Sequence, residues 1–462
     1  MKNIFKNKLL ILTCLISVNL TQAATIVVDG SDGTVADDGV CTVVEAITAA
    51  NTNTASGATP GECVAGSGAD VIELSQDVTL AVAAETADSN EGNTGLPYVT
   101  STITLNGMGH ILQRDENLIC NSDGTVDASE FRLIRIESTG NLSLENIILS
   151  HGCTDGNAIA NKFFGGTIWN DGVLSLDNTV ISSGKSHFGG AIINLDTISN
   201  ITNSIFVDNI ASRSAGAIYN NFSTSIPLIK NSLFLDNETT DREGGALYNR
   251  GVIALIEDSS FISNHAESSG GAIYNNQAIN EIVNTTFSGN SSASYGGAIS
   301  NGEVLSSINN STFINNSSGQ LGGALNSSSF LTTVNNSLFS GNTSFFNNGA
   351  DCFISSGSSN PPSFAGSHNL SNQDNQNCLL TMDTNLTTTT IASYEDNGCV
   401  TPLADGSCVL THALLIGSEA LDAADIMTAT TLDQRGYPIE NSLRDIGAFE
   451  ANVDLIFING FE

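Results

Sequence analysis

The chain has 462 residues, with 48 Asp and Glu against 14 Lys and Arg, giving a net charge of −34 at pH 7. Coulomb repulsion at that charge excludes nucleic acid and anionic membrane surfaces as partners. Charged residues make up only 13% of the chain, so Asn, Ser, Thr and Gly must carry the solvated surface, as in an exported β-solenoid rather than a compact globule.

Residues 1–23 have the layout of a cleaved secretory signal peptide. Lys2, Lys6 and Lys8 form the charged start, residues 9–20 the apolar run, and Thr21-Gln22-Ala23 the small-residue cleavage site. The run is too short to span a bilayer comfortably, and no later segment is long and apolar enough to do so, so the mature chain is expected to lack a transmembrane span. Eight cysteines remain after Cys14, an even number that suits an oxidising compartment. They fall into local pairs, Cys41 with Cys63, Cys120 with Cys153, Cys352 with Cys378 and Cys399 with Cys408. Nearest-neighbour pairing is the simplest of many connectivities.

Residues 24–69 read as an N-terminal cap. Alternating apolar residues at 71–74, 102–105 and 133–136 mark irregular strands that lead into a repeat. A Gly-Gly-Ala-Ile-Tyr-Asn-like block recurs at 165–170, 189–194, 215–220, 244–249, 270–275, 296–301 and 322–326. Its second glycine steps from Gly245 to Gly271, Gly297 and Gly323 at 26-residue intervals, and one further interval reaches Gly349. Between these blocks lies Asn-Ser-x-Phe-x-x-Asn, with Leu149, Ile181, Phe206, Phe234, Phe261, Phe287, Phe313 and Phe339 at its apolar position. Five residues earlier stand Leu144, Leu176, Ile201, Ile229, Ile256, Ile282, Ile308 and Val334. Three residues earlier stand Asn146, Asn178, Asn203, Asn231, Asp258, Asn284, Asn310 and Asn336.

About 26 residues accommodate three short strands and their turns, and stacking such coils at the ~4.8 Å sheet spacing places like residues above one another. The phenylalanines and aliphatics should form internal stacks. The Asn column beginning at Asn146 should form an amide ladder that satisfies buried turn backbone. The Gly-Gly pair should mark a bend that admits no Cβ. Parallel crossovers make the winding right-handed. The fold class expected is therefore all-β, a right-handed parallel β-helix over 70–350. Disulfide-containing caps should close its ends, the second of them over 351–450, followed by a tail at 451–462.

The Gly-Gly-Ala-Ile and Phe-x-x-Asn motifs at about 140–350 resemble the repeats of chlamydial polymorphic outer membrane proteins. Cys41-Thr42-Val43-Val44-Glu45-Ala46-Ile47 resembles the N-terminal CSLREA domain of bacterial surface proteins, with Val43-Val44 in place of that family's Leu-Arg. Asp433-Gln434-Arg435-Gly436-Tyr437-Pro438 and Asp445-Ile446-Gly447-Ala448-Phe449-Glu450 are similar to the choice-of-anchor Q domain, which implies a surface-associated C-terminal module. The tail from Ile456 to Glu462 resembles a short tail of other exported bacterial proteins. The chain after residue 350 is too short for an autotransporter barrel and lacks its alternation.

Pectin lyase-like solenoids include polysaccharide lyases and hydrolases, which require convergent carboxylates, often with a basic residue. Asp208 and Asp236 occupy equivalent places in adjacent coils and should lie near one another. Asp241, Arg242 and Glu243 lie in a coil lengthened by three residues, and His187 and His265 each precede a Gly-Gly block. The plainer readings are a solvated turn for the Asp pair, a charged loop tip for 241–243 and an aromatic stack for Trp169, with a sugar platform as the alternative for the tryptophan. Asp- and Asn-rich turns allow weak Ca²⁺ binding, and no other cofactor or metal is expected. The favoured function is an exported, surface-associated, non-catalytic binding or adhesin-like module for a cell-surface or glycan ligand. A secreted polysaccharide lyase or glycoside hydrolase is the alternative.

Overall fold

The computed structural model describes residues 23–86, 92–121, 127–154, 163–345, 350–355, 366–371, 382–385, 391–439 and 443–451. The expected signal peptide before Ala23, the step to Gly349, Cys378 and the tail after Ala451 lie outside the described residues.

The chain winds as a right-handed parallel β-helix, and one coil illustrates all of them. Ile218–Asn220 lies on a first face and Ser225–Lys230 and Leu233–Leu235 on a broad second face. Glu238–Thr239 lies on a narrow third face, before Gly244-Gly245 returns the chain to the first. Each strand pairs in parallel with its counterpart one coil on, for example Phe206 with Phe234 and Tyr219 with Tyr248. The broad face already begins at Thr25–Val28, which pairs with Ala69–Leu74.

Periodic chemistry produces this register because like residues stack on like. Phe206, Phe234, Phe261, Phe287, Phe313 and Phe339 form a fully buried column, with ring centroids 4.5–5.1 Å apart and interplanar angles of 8° or less. The aliphatic column from Leu144 to Val334 is likewise buried.

Every coil turns its corners with residues in the left-handed region. One corner carries the Asn column, from Asn146 (φ 49°) to Asn336 (φ 50°), and a second carries Asp208, Asp236, Ser263, Gly289, Asn315 and Gly341. The third carries the first glycine of each Gly-Gly pair, with Ala215 (φ 63°) as the exception. The second glycine has a different reason: a Cβ at Gly271 would lie 2.1 Å from the carbonyl oxygen of Gly297, and one at Gly297 would lie 2.0 Å from that of Gly323.

The column expected to form an amide ladder does so only in part. The continuous ladders are formed by the Asn that closes each of the two blocks. One runs Asn209, Asn237, Asn264, Asn290, Asn316 and Asn342, each Nδ2 donating to the next Oδ1 at 2.9–3.0 Å. The other runs Asn170, Asn194, Asn220, Asn249, Asn275 and Asn301 at 2.6–2.9 Å. In the column expected to form a ladder, Asn178 bonds Asn146, Asn231 bonds Asn203 and Asn284 bonds Asp258, but the run is interrupted between these pairs and Asn310 has neither amide atom paired. That column lies at an outer corner, where its amides are free to bond other chain segments.

The N-terminal end is closed by a helix, Val43–Thr52, which the strand reading of the sequence does not anticipate. Thr42 accepts from the Glu45 amide and Glu45 returns a bond to the Thr42 amide, a capping box, and Asn53 ends the helix in the left-handed region. Its Val43, Ala46, Ile47 and Ala50 cover the first coil. Disulfides join Cys41 to Cys63, Cys120 to Cys153 and Cys399 to Cys408. Cys352 is also disulfide-bonded.

The segments 399–439 and 443–451 fold back along the broad face as a strap. Leu403 and Val409 pack on Val180, Ile205, Leu233 and Ile262. The corner Asn column receives it: Asn231 donates to the Thr401 carbonyl, Asn284 to that of Leu432 and Asn336 to that of Asp425. His412 reaches Ser288 at 2.9 Å, and Gln434 bonds Ser259, Ser260 and Thr286. The two motifs noted near the C-terminus close this strap on itself. Asp433 is fully buried, pairs with the Arg435 guanidinium at 2.6 Å and accepts from the Glu450 amide, while buried Arg444 pairs with Glu450 at 2.7 Å.

Candidate functional site

The strap covers much of the broad face, and among the described residues side chains gather at two regions of the remaining surface. The first is a cleft of about 490 Å³ on the narrow side, near the Cys120–Cys153 disulfide, lined by Arg114, Glu116, His151, Lys185 and Asp208 among others. Arg114 is a buried strut: its guanidinium donates to the carbonyls of His151, Leu118 and Ser129. His151 sits in the left-handed region with Nδ1 2.6 Å from Ser150 Oγ, and burial pushes its pKa down, so the ring is neutral near pH 7. Lys185 is exposed on the strand Lys185–Phe188.

Asp208 and Asp236 come together as the repeat spacing requires. Both are exposed corner residues with φ of 56° and 53°. Partial burial and then the charge of Asp208 hold the Asp236 carboxyl above its ordinary value. Only Asp208 of the two lines the cleft.

Asp241, Arg242 and Glu243 lie on a different corner and do not converge with the Asp pair on one site. Asp241 and Arg242 are exposed and 3.6 Å apart. His187 is buried against Phe188, contacts Ser212 Oγ at 3.0 Å, and burial followed by the charge of Arg213 pulls its pKa down to about 4. His265 contacts Ser291 Oγ at 2.8 Å and Glu267 at 3.5 Å. His265 thus stands between a hydroxyl on Nδ1 and a carboxylate on Nε2, the latter distant and well exposed, whereas His187 contacts a hydroxyl and an aromatic ring.

The second region is the first face. Its outward column runs Trp169, Ile193, Tyr219, Tyr248, Tyr274, Ser300, Asn326 and Phe353, in parallel register throughout. Trp169 belongs to this column, but Ile193 separates it from the tyrosines. It is only 4% exposed, beneath the guanidinium groups of Arg132 (5.0 Å) and Arg135 (5.2 Å), so it offers no platform to a sugar. Tyr219, Tyr248 and Tyr274 stack with centroids 4.9 and 5.1 Å apart. Burial raises all three phenol pKa values, and the nearby Glu243 carboxylate adds to the effect. Arg250 donates to Tyr219 Oη at 2.9 Å and lies 3.4 Å over the Phe222 ring. Beyond Tyr274 the aromatic column lapses at Ser300 and Asn326, leaving a notch of about 250 Å³ before Phe353.

The first face offers ring faces, hydroxyls and amides, and the Asp208 and Asp236 carboxylates sit in solvent. Among the described residues, no helix is long and apolar enough to cross a membrane. None of the curated proteins matches the chain. The family model described as the Chlamydia polymorphic membrane protein (Chlamydia_PMP) repeat matches residues 258–276 and 284–302, two adjacent stretches in the most regular part of the stack.

Proposed function

We propose that this protein is an exported β-helix, associated with the cell surface, that binds a glycan or another cell-surface ligand through its first face without transforming it. The observation that carries this reading is the contrast between its flanks. The strap seals much of the broad face, while the first face leaves the half-buried Tyr248 and Tyr274, and the notch beyond them, accessible. The match to a repeat of polymorphic membrane proteins supports a place at the surface.

A screen of the full chain against immobilised glycans, with product analysis on each hit, tests the proposal. Binding with intact ligand is expected, and protease treatment of intact producing cells should remove the protein. A second reading follows from the one-coil spacing of Asp208 and Asp236 and the raised pKa of Asp236, which suit an acid and its partner in glycoside cleavage. Cleavage that disappears in Asp208→Asn or Asp236→Asn would establish that reading in place of the first.

A further inference from the structure

We infer that the notch between Tyr274 and Phe353 is a subsite for a neutral hexopyranose unit of a longer glycan. The inference rests on the glycan-binding reading above and names the place and the chemistry.

The register supplies the geometry. Tyr274, Ser300, Asn326 and Phe353 occupy one outward column, so Tyr274 and Phe353 stand three coil steps apart, or about 14 Å at ~4.8 Å per step. The two intervening coils carry short polar side chains where Tyr219, Tyr248 and Tyr274 stand in earlier coils. The resulting volume of about 250 Å³ approaches that of small-molecule sites, and exposed Tyr295 and half-buried Leu321 also line it.

The polar groups there are poised rather than satisfied. Asn326 is only 9% exposed and lines the notch, yet its side-chain amide has no hydrogen-bond partner among the described residues. Its polar atoms open unpaired into the notch, whereas Asn275 and Asn301, one residue along in neighbouring coils, are locked into the ladder. Ser300 and Ser355 offer hydroxyls beside it. No charged side chain lines the notch among the described residues, and the chain as a whole carries −34. Anionic sugars are therefore repelled, and a cationic ligand finds no carboxylate. A ligand with apolar faces for Tyr274 and Phe353 and hydroxyls for Asn326 and the serines is a neutral pyranose.

Gly302 makes the test clean. A Cβ there meets nothing closer than 3.4 Å, the Asn275 carbonyl oxygen, and lies 4.0 Å from Tyr274 Oη. Arg250, Asn276 and Ser328 hold the equivalent position in neighbouring coils, so the backbone accepts a side chain that would fill the notch.

The experiment titrates the full chain, by calorimetry, with neutral gluco-, manno-, galacto- and xylo-oligosaccharides, with oligogalacturonate as the anionic comparison. Gly302→Leu and Tyr274→Ser are measured beside the unaltered protein, and thermal melts confirm that each variant is folded. At least one neutral oligosaccharide should bind, and both variants should weaken it tenfold or more without lowering the melting temperature appreciably. Equal binding by both folded variants would overturn the notch while leaving the glycan reading standing. Stronger binding of oligogalacturonate would overturn the neutral-sugar assignment. No binding of any sugar by the unaltered protein would remove the glycan reading and this inference with it.

Discussion

Replacing Asn290 by Leu would separate the buried ladder from the Asn corner that resembles it in sequence. Asn290 is fully buried; its Nδ2 donates to the Phe261 carbonyl and to Asn316 Oδ1 at 2.9 Å, and its Oδ1 accepts from the Asn264 amide and Asn264 Nδ2. Leucine has a similar volume and none of these bonds. Three buried groups lose their partner: the Phe261 carbonyl, the Asn264 N–H and one Asn264 Nδ2–H. At about 1–3 kcal/mol each, that is roughly 3–9 kcal/mol. Burying the leucyl carbons returns about 1.5–3 kcal/mol, so a net loss of about 2–6 kcal/mol is expected. Asn310→Gly is the matched comparison. Asn310 is as deeply buried, but its amide is unpaired and its φ of 49° suits glycine, so the loss should stay within about 1 kcal/mol. Guanidinium unfolding followed by far-UV circular dichroism compares the two. A ladder variant no less stable than the corner variant would refute the assignment of the ladders.

Three more outcomes follow from the geometry. Gly271→Ala, whose Cβ would lie 2.1 Å from the Gly297 carbonyl oxygen, should prevent folding or sharply lower the melting temperature, whereas Gly302→Ala should leave it unchanged. Burial raises the carboxyl of Asp445 to about 7 and that of Asp258 to about 6, and also raises that of Glu450. The folded protein then holds protons that the unfolded chain releases, so this contribution is full below the ordinary value of 3.8 and is lost as pH rises towards 7. Hydrogen exchange at 443–451, corrected for intrinsic rates, should be slower at pH 5 than at pH 8, and Asp445→Asn should flatten the difference; a pH-independent profile in the unaltered protein would contradict this. Gln434→Ala removes the three bonds of that side chain to Ser259, Ser260 and Thr286 and should speed proteolysis of 399–451 while the coils remain protected.

The columns of Phe206 to Phe339 and of Leu144 to Val334 were legible because a buried stack repeats one side chain at one offset. The continuous ladders were missed because Asn serves two purposes in each coil: it tolerates left-handed φ at the corner, and it bridges coils inside. Sequence spacing cannot separate these uses, since both keep the 26-residue period. The helix Val43–Thr52 had a local signal in Thr42 and Glu45, but it sits beside short strand-like runs. The strap was recognisable only as motifs, because its partners, such as Gln434 and Thr286, lie about 150 residues apart. At the site, the spacing did bring Asp208 and Asp236 together, whereas the notch is written as two lapses in a tyrosine column, at Ser300 and Asn326, that read as ordinary degeneracy.

Repeat proteins lengthen and shorten by copying or losing whole units, because each unit touches only its neighbours. The strap removes that freedom from part of this molecule. It touches Asn203 and Asn231 near Ala404 and Thr401 and reaches Asn336 at Asp425, so it measures a fixed number of coils. A coil inserted between Val180 and Asn336 would carry every later docking residue about 4.8 Å out of step with it. The stretch 180–336 is thus held to one length, and duplication or loss of coils is tolerated most readily before Val180.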